Sequence, residues 1–238
     1  MSETEIKKDN GEGLISMINK PFNRRNFLVF TGISAAALAV GIQGCKSDEI
    51  ITPSGTSVDL GSGDVGILNY AYALEQLEAA FYIQVIATPY SGMTGAELSI
   101  LTDIRDHEIA HRDFFKAAIP SSSRIPNLEV NFSSINFTSR ASVLGTAKAF
   151  EDLGVSAYNG AGYYISDATY LELAGKIVSV EARHAAAIRD LLNPRSADFA
   201  GDDIVNASSG LDVERKPRAV LSIAKDYLKT TVTANSLP

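Results

Sequence analysis

Four long segments of the sequence each carry a helical stripe of apolar residues that is interrupted near its middle by a glutamate. These glutamates are Glu75, Glu108, Glu151 and Glu181. Apolar residues at alternating steps of three and four lie on one face of a helix, and that face packs into the core. A buried carboxylate is costly unless it is paired or binds a metal ion. The pattern therefore predicts a helical bundle with a polar cluster in its core.

The lengths of the connections predict how the four helices are joined. The predicted helices cover about 64–87, 94–118, 139–165 and 167–192. The first and third connections are short, so each joins two antiparallel neighbours. The middle connection has about 20 residues and reaches about 66 Å when extended, whereas a helix of about 24 residues is about 36 Å long. The predicted fold is therefore all-α: a four-helix bundle with a long crossover between helices 2 and 3.

Two of the stripes carry a histidine three residues after the glutamate, and the other two carry a tyrosine seven residues after it. A Glu from each of two helices plus Glu-x-x-His from each of the other two is the ligand set of di-iron and di-manganese carboxylate sites. We therefore expect two Fe ions, or alternatively two Mn ions. The expected ligands are Glu75, Glu108, His111, Glu151, Glu181 and His184.

Several residues beside these ligands are candidates for supporting roles. Glu78 lies three residues after Glu75, about 4 Å farther along the axis, so Glu75 is the preferred ligand and Glu78 a neighbouring or alternate one. Tyr82 and Tyr158 are either hydrogen-bonded core residues or redox-active neighbours of the metals. His107 directly precedes Glu108 and lies beside the site or on the surface.

The segment His107-Glu108-Ile109-Ala110-His111 also has the form of the zinc-protease motif. In that motif two histidines one turn apart bind zinc and the glutamate acts as general base. The extended form with a glycine and a third histidine is absent, because Arg112-Asp113-Phe114 follows. A protease would also leave the other glutamates unexplained, so a zinc metalloprotease is the weaker alternative.

Three segments carry a resemblance to a known family. They are Tyr72–Tyr82, Phe150–Tyr158 and Glu181–Ala186. With them, residues 64–192 resemble the ferritin-like superfamily, in the branch that includes desiccation-related proteins. The resemblance implies the bundle fold and a potential di-metal centre. It leaves open whether the chain is a di-iron oxidase or ferroxidase, a manganese catalase-like enzyme, or a metal-free structural or stress-protective bundle.

Residues 1–45 have the features of an export signal. Arg24-Arg25 precedes an uncharged run, Phe27–Ile42, of 16 residues, which is short for a transmembrane helix of about 20 residues. The segment resembles a twin-arginine (Tat) signal of bacterial proteins, and Cys45 resembles the acylated cysteine of a lipobox. We expect a bacterial lipoprotein on the periplasmic side of the envelope or at the cell surface, with the membrane as its partner through Cys45. The alternative is a buried hydrophobic helix with a free thiol.

The rest of the chain completes the predicted domain organisation. Residues 46–63 are rich in Ser, Gly and charged residues and predict a flexible linker. Residues 193–238 predict a C-terminal extension with a short helix. The formal net charge of −7 argues against nucleic-acid binding, and a homodimer is left open.

Overall fold

A computed structural model describes residues 57–238. Its elements are strand β1 (Ser57–Asp59), helices α1 (Gly63–Ala87), α2 (Gly95–Ala118), α3 (Arg140–Gly162) and α4 (Ala168–Leu192), a 3-10 turn (Ala197–Ala200), helix α5 (Pro217–Ala224), a second 3-10 turn (Lys225–Tyr227) and strand β2 (Thr231–Thr233). The predicted export signal, its Cys45 and residues 46–56 of the predicted linker lie outside the described residues. Within residues 57–238, no helix is both long and apolar enough to span a bilayer.

The four long helices form two antiparallel pairs, α1 with α2 and α3 with α4. At one end, Ser91 in the α1–α2 turn donates its N–H to the carbonyl of Thr138, just before α3. At the other end, the carboxylate of Asp64 accepts the N–H groups of Ser166 and Asp167 from the α3–α4 turn. The α2–α3 connection therefore returns along the bundle, α2 and α3 run parallel, and the predicted topology is confirmed. We call the end of the bundle that contains Asp64 and Asp167 the Asp64 end.

Side-chain caps define where the helices begin. Thr94 and Glu97 form the predicted capping box: the Thr94 hydroxyl accepts from the Glu97 N–H at 3.1 Å, and the Glu97 carboxylate accepts from the Thr94 N–H at 2.8 Å. Arg140, at the start of α3, donates to Glu97 at 2.7 Å and to the Leu191 carbonyl at 2.6 Å. The start of α2, the start of α3 and the end of α4 are thus joined by one guanidinium.

Two buried amides on α1 attach the long crossover to the bundle. Asn69 donates to the Ser123 carbonyl at 2.8 Å and accepts from the Ile125 N–H at 3.0 Å. Gln76, seven residues later, accepts from the Leu128 N–H at 2.8 Å. Buried backbone groups of an irregular segment need such partners because no helix or strand supplies them. The crossover therefore covers α1, and most of α1 is buried.

The segment predicted as a flexible linker is ordered where the structure describes it. Residues of β1 pair in parallel with β2, with Val58 opposite Val232. The Leu60 N–H donates to the Thr233 carbonyl at 3.0 Å, and the Leu60 side chain is fully buried. The sequence does not predict this strand, because residues 46–63 are mostly polar and the partner strand lies far away in the sequence.

The C-terminal extension crosses α3 at close range. The Arg215 N–H donates to the Ser156 carbonyl at 2.9 Å. At Gly160, one turn further on, an added Cβ would lie 2.0 Å from the Arg215 carbonyl oxygen. Only a glycine at position 160 permits this approach of the two backbones.

A buried arginine fastens the segment that follows α4. Arg189 is 2% exposed, and its guanidinium donates to both carboxylate oxygens of Asp152 at 2.8 and 2.7 Å. It also donates to both oxygens of Asp203 at 3.0 and 2.9 Å. Such bidentate pairs are strong and directional, so α3, α4 and the extension are held together here.

Candidate metal centre

The six residues predicted as ligands meet in the core of the bundle. The four glutamates are fully buried. Their carboxylate oxygens and the two imidazoles form two groups, in each of which one atom per residue lies within 4.8 Å of the others. The first group is Glu75, Glu108, His111 and Glu181, and the second is Glu108, Glu151, Glu181 and His184. Either group could hold a metal ion, and Glu108 and Glu181 belong to both.

Each of the two Glu-x-x-His motifs contacts the other. The Nδ1 atom of His111 lies 2.8 Å from the Glu181 carboxylate, and the Nδ1 atom of His184 lies 2.9 Å from the Glu108 carboxylate. The step of three residues places each histidine about one turn from its own glutamate. Each histidine on α2 or α4 therefore contacts the glutamate of the opposite motif.

Most inward-facing atoms of this cluster have no hydrogen-bond partner. They are Glu75 Oε2, both oxygens of Glu108, His111 Nδ1, Glu151 Oε2, both oxygens of Glu181 and His184 Nδ1. The imidazole and carboxylate atoms are close, but they are poorly aligned for hydrogen bonds with each other. Buried polar atoms are nearly always paired, so this arrangement needs a further partner. Oxygen and imidazole donors around a common volume fit divalent metal ions.

Two tyrosines donate hydrogen bonds to Glu151 and Glu75, the two glutamates that belong to only one group each. Tyr82 of α1 donates its hydroxyl to Glu151 Oε1 of α3 at 2.5 Å. Tyr158 of α3 donates its hydroxyl to Glu75 Oε1 of α1. Burial, and then the adjacent carboxylate, raise the pKa of both tyrosines well above the ordinary value. Both phenols therefore remain neutral donors that fix one oxygen of each glutamate.

Glu78 is buried beside the cluster but belongs to neither group. Burial, followed by the charge of Glu108, raises its pKa well above the ordinary value. A Cβ at Gly154 on α3 would lie 3.1 Å from its carboxylate oxygen. Gly154 therefore makes room for Glu78, a role that the sequence analysis missed. The available signal was a glycine within a buried helical stripe, three residues after Glu151.

His107 lies on the outer side of His184 and is exposed. Its Nδ1 atom is 2.9 Å from His184 Nε2, and the two rings stack with centroids 5.2 Å apart. A hydrogen bond to the outer nitrogen of a ligating histidine orients its ring. His107 belongs to neither group of candidate ligands, so the two histidines of the protease-like motif do not share one ion position.

The comparison with protein families agrees with this geometry. The family model described as the ferritin-like domain matches residues 63–194, over half of the chain. The chain belongs to the ferritin-like domain family. A search of curated proteins finds no significant match. All six candidate ligands lie within the ferritin-like domain, whereas Cys45 and most of the C-terminal extension lie outside it.

The ferritin-like domain places groups with opposite pKa shifts side by side. Burial, and then the charge of Glu181, raise the pKa of Glu108 well above the ordinary value. Burial raises the pKa of Glu151 to about 7. Burial also opposes ionisation of Glu181, but contacts with His111 and His184 outweigh it and hold its pKa at about 2. Contacts with carboxylates likewise overcome burial at His184 and raise its pKa to about 12.

Metal-free protein is expected to lose stability as the pH rises from about 5 to about 9. Glu108, Glu151 and His184 have raised pKa values, so over this interval the folded state keeps protons that the unfolded chain has released. Glu181 has a lowered pKa, so its stabilising contribution is already complete above the ordinary pKa of 4.5 and does not change over this interval. Thermal unfolding of chelator-treated protein across this range measures the effect. Metal-loaded protein should not show the fall, because metal ions replace the protons; a flat profile without metal would contradict the expectation.

Proposed function

We propose that the ferritin-like domain binds two divalent ions, Fe or alternatively Mn, and uses them to react with oxygen or peroxide. The observation that carries this proposal is the set of buried oxygen and nitrogen atoms that lack partners and surround a common volume. A purely structural polar network would align its members as hydrogen-bonded pairs. Here the tyrosine bonds are aligned, and the contacts among the six candidate ligands are not.

The two groups suggest a role for each ligand. Glu108 and Glu181 belong to both groups and would contribute to both ion positions. Glu75 and His111 would complete one ion position, and Glu151 and His184 the other. Four carboxylates balance the charge of two divalent ions. When bound, such an ion pair supplies electron exchange with oxygen or peroxide.

The surrounding residues would hold the ligands in place. Tyr82 and Tyr158 each fix one oxygen of Glu151 and Glu75, which leaves the other oxygen facing the ion position. His107 holds the outer nitrogen of His184, so its inner Nδ1 faces the carboxylates. Such outer contacts orient metal ligands and tune their basicity.

We also propose that the protein is exported and anchored by lipid. The support is in the sequence: Arg24-Arg25 before an uncharged run, and Cys45 after it. Tat export suits a metalloprotein, because that route carries folded proteins with the cofactor already inserted. Acylated Cys45 would hold the domain on the periplasmic side of the envelope or at the cell surface.

Elemental analysis of the protein purified without chelator tests the metal proposal. We expect about two Fe or Mn per chain, and His107→Ala, which removes an outer contact of His184 and no ligand, should weaken metal binding without abolishing it. A protein that carries no metal and gains no stability from added Fe(II) would instead be a structural or stress-protective bundle. One Zn per chain that is lost on His107→Ala would favour the protease alternative.

A further inference from the structure

An apolar cavity lies between the candidate metal centre and the Asp64 end of the bundle. Its volume is about 20 Å³. All four long helices contribute to its lining. Among the lining residues are Ala71, Phe115, Ala157, Tyr158, Ala161 and Ile177.

The cavity lies about one helical turn from the candidate ligands. Ala71 precedes Glu75 by four residues, and Ile177 precedes Glu181 by four. Phe115 of α2 follows His111 by the same step. Four residues correspond to about 6 Å along a helix. Three of the four helices therefore carry a lining residue directly next to a candidate ligand.

Tyr158 joins the cavity to the centre. It is one of the lining residues, and its hydroxyl donates to Glu75, a member of the first group. Tyr158 therefore contacts both the cavity and a candidate ligand.

The lining disfavours water. A buried water molecule needs two to four polar partners, whereas the cavity is lined by aliphatic and aromatic side chains. The Tyr158 hydroxyl already donates to Glu75, and the buried Tyr70 hydroxyl has no hydrogen-bond partner. Empty cavities in proteins are apolar, and such cavities bind small apolar molecules such as xenon. Its volume suits a molecule of a few atoms and excludes a long chain.

We propose that this cavity binds one dioxygen-sized apolar molecule and supplies dioxygen to the di-metal centre. This inference rests on the proposed function and narrows it, because an apolar cavity favours dioxygen over the polar peroxide. It also assigns a purpose to the small residues Ala157 and Ala161, whose enlargement would fill the space.

Xenon binding to metal-free protein tests the cavity without reference to any activity. Xenon pressurisation of crystals should show one bound atom next to Ala161 in the unaltered protein, and none in Ala161→Val. The matched control is Ala149→Val, an exposed position on the same helix, which should keep the xenon site. If Ala161→Val folds poorly, Ala174→Leu fills the cavity from a half-buried position on α4. The absence of xenon from the unaltered protein, or its persistence in the filled variants, would overturn the proposal.

The reaction of metal-loaded protein then tests the supply of dioxygen. The second-order rate constant with dioxygen should fall severalfold in Ala161→Val, while the metal content and the rate with hydrogen peroxide stay unchanged. Equal rates with dioxygen in both proteins would overturn the supply role even where xenon binds. A protein that binds xenon but no metal would refute the proposed function and leave the cavity established.

Discussion

Replacing Glu108 by alanine is expected to remove both metal ions from the ferritin-like domain. Glu108 belongs to both groups of candidate ligands, and its two oxygens are buried without hydrogen-bond partners. Replacing Glu75 leaves the second group complete, with Glu108, Glu151, Glu181 and His184. Elemental analysis should therefore show about two ions per chain in the unaltered protein, about one in Glu75→Ala and none in Glu108→Ala.

Thermal unfolding of metal-free Glu108→Ala checks that the variant still folds, so that a loss of metal is not a loss of structure. The substitution removes a buried carboxyl whose pKa is raised by burial and by Glu181. Burial of this carboxyl opposes folding, whereas its 2.9 Å contact with His184 favours it. Glu172→Ala, at an exposed position on α4, is the matched control and should retain both ions. Two ions bound to Glu108→Ala would contradict the assignment of Glu108 to both positions.

Replacing Gly160 by alanine is expected to cause a large loss of stability. The new methyl group would lie 2.0 Å from the Arg215 carbonyl oxygen and 2.5 Å from the Arg215 carbonyl carbon. Both are backbone atoms, so a side-chain rotation cannot relieve the clash, and the extension must move away from α3. Overpacking costs about 1–3 kcal/mol, and denaturant unfolding at constant metal content measures it.

The same helix offers the control for this substitution. Gly145 also lies in α3, is exposed, and has no atom within 4 Å of an added Cβ. Alanine is favoured over glycine in a helix by about 1 kcal/mol, so Gly145→Ala should stabilise the protein. The two substitutions should therefore have opposite signs. Equal stability of Gly160→Ala and the unaltered protein would show that the extension does not hold its position against α3.

The helices, their connectivity and the meeting of the candidate ligands follow from local features of the sequence. The period of three and four residues reports which face is buried, and Thr94 with Glu97 marks a helix start. Connection lengths then decide which helices are antiparallel. Because each glutamate lies near the middle of its helix, the four reach the same level.

Contacts between distant segments could not be predicted in this way. The pairing of Val58 with Val232 joins the two ends of the described chain across a long separation in sequence. The approach of Arg215 to Gly160 depends on the path of an irregular segment. The contact of His107 with His184 depends on the distance between α2 and α4. The periodicity of one helix does not predict its distance from another helix.

The two halves of the bundle repeat the same ligands in different surroundings. Glu75 is followed three residues later by Glu78, whereas Glu151 is followed by Gly154. His107 precedes Glu108, whereas Val180 precedes Glu181, so only His184 has a histidine at its outer nitrogen. A loaded centre would therefore contain two chemically similar but inequivalent ions, which should give two distinct spectroscopic signals and fill in sequence. The two signals of one chain can therefore be compared to measure the effect of His107 relative to Val180, and of Glu78 relative to Gly154, on the bound ions.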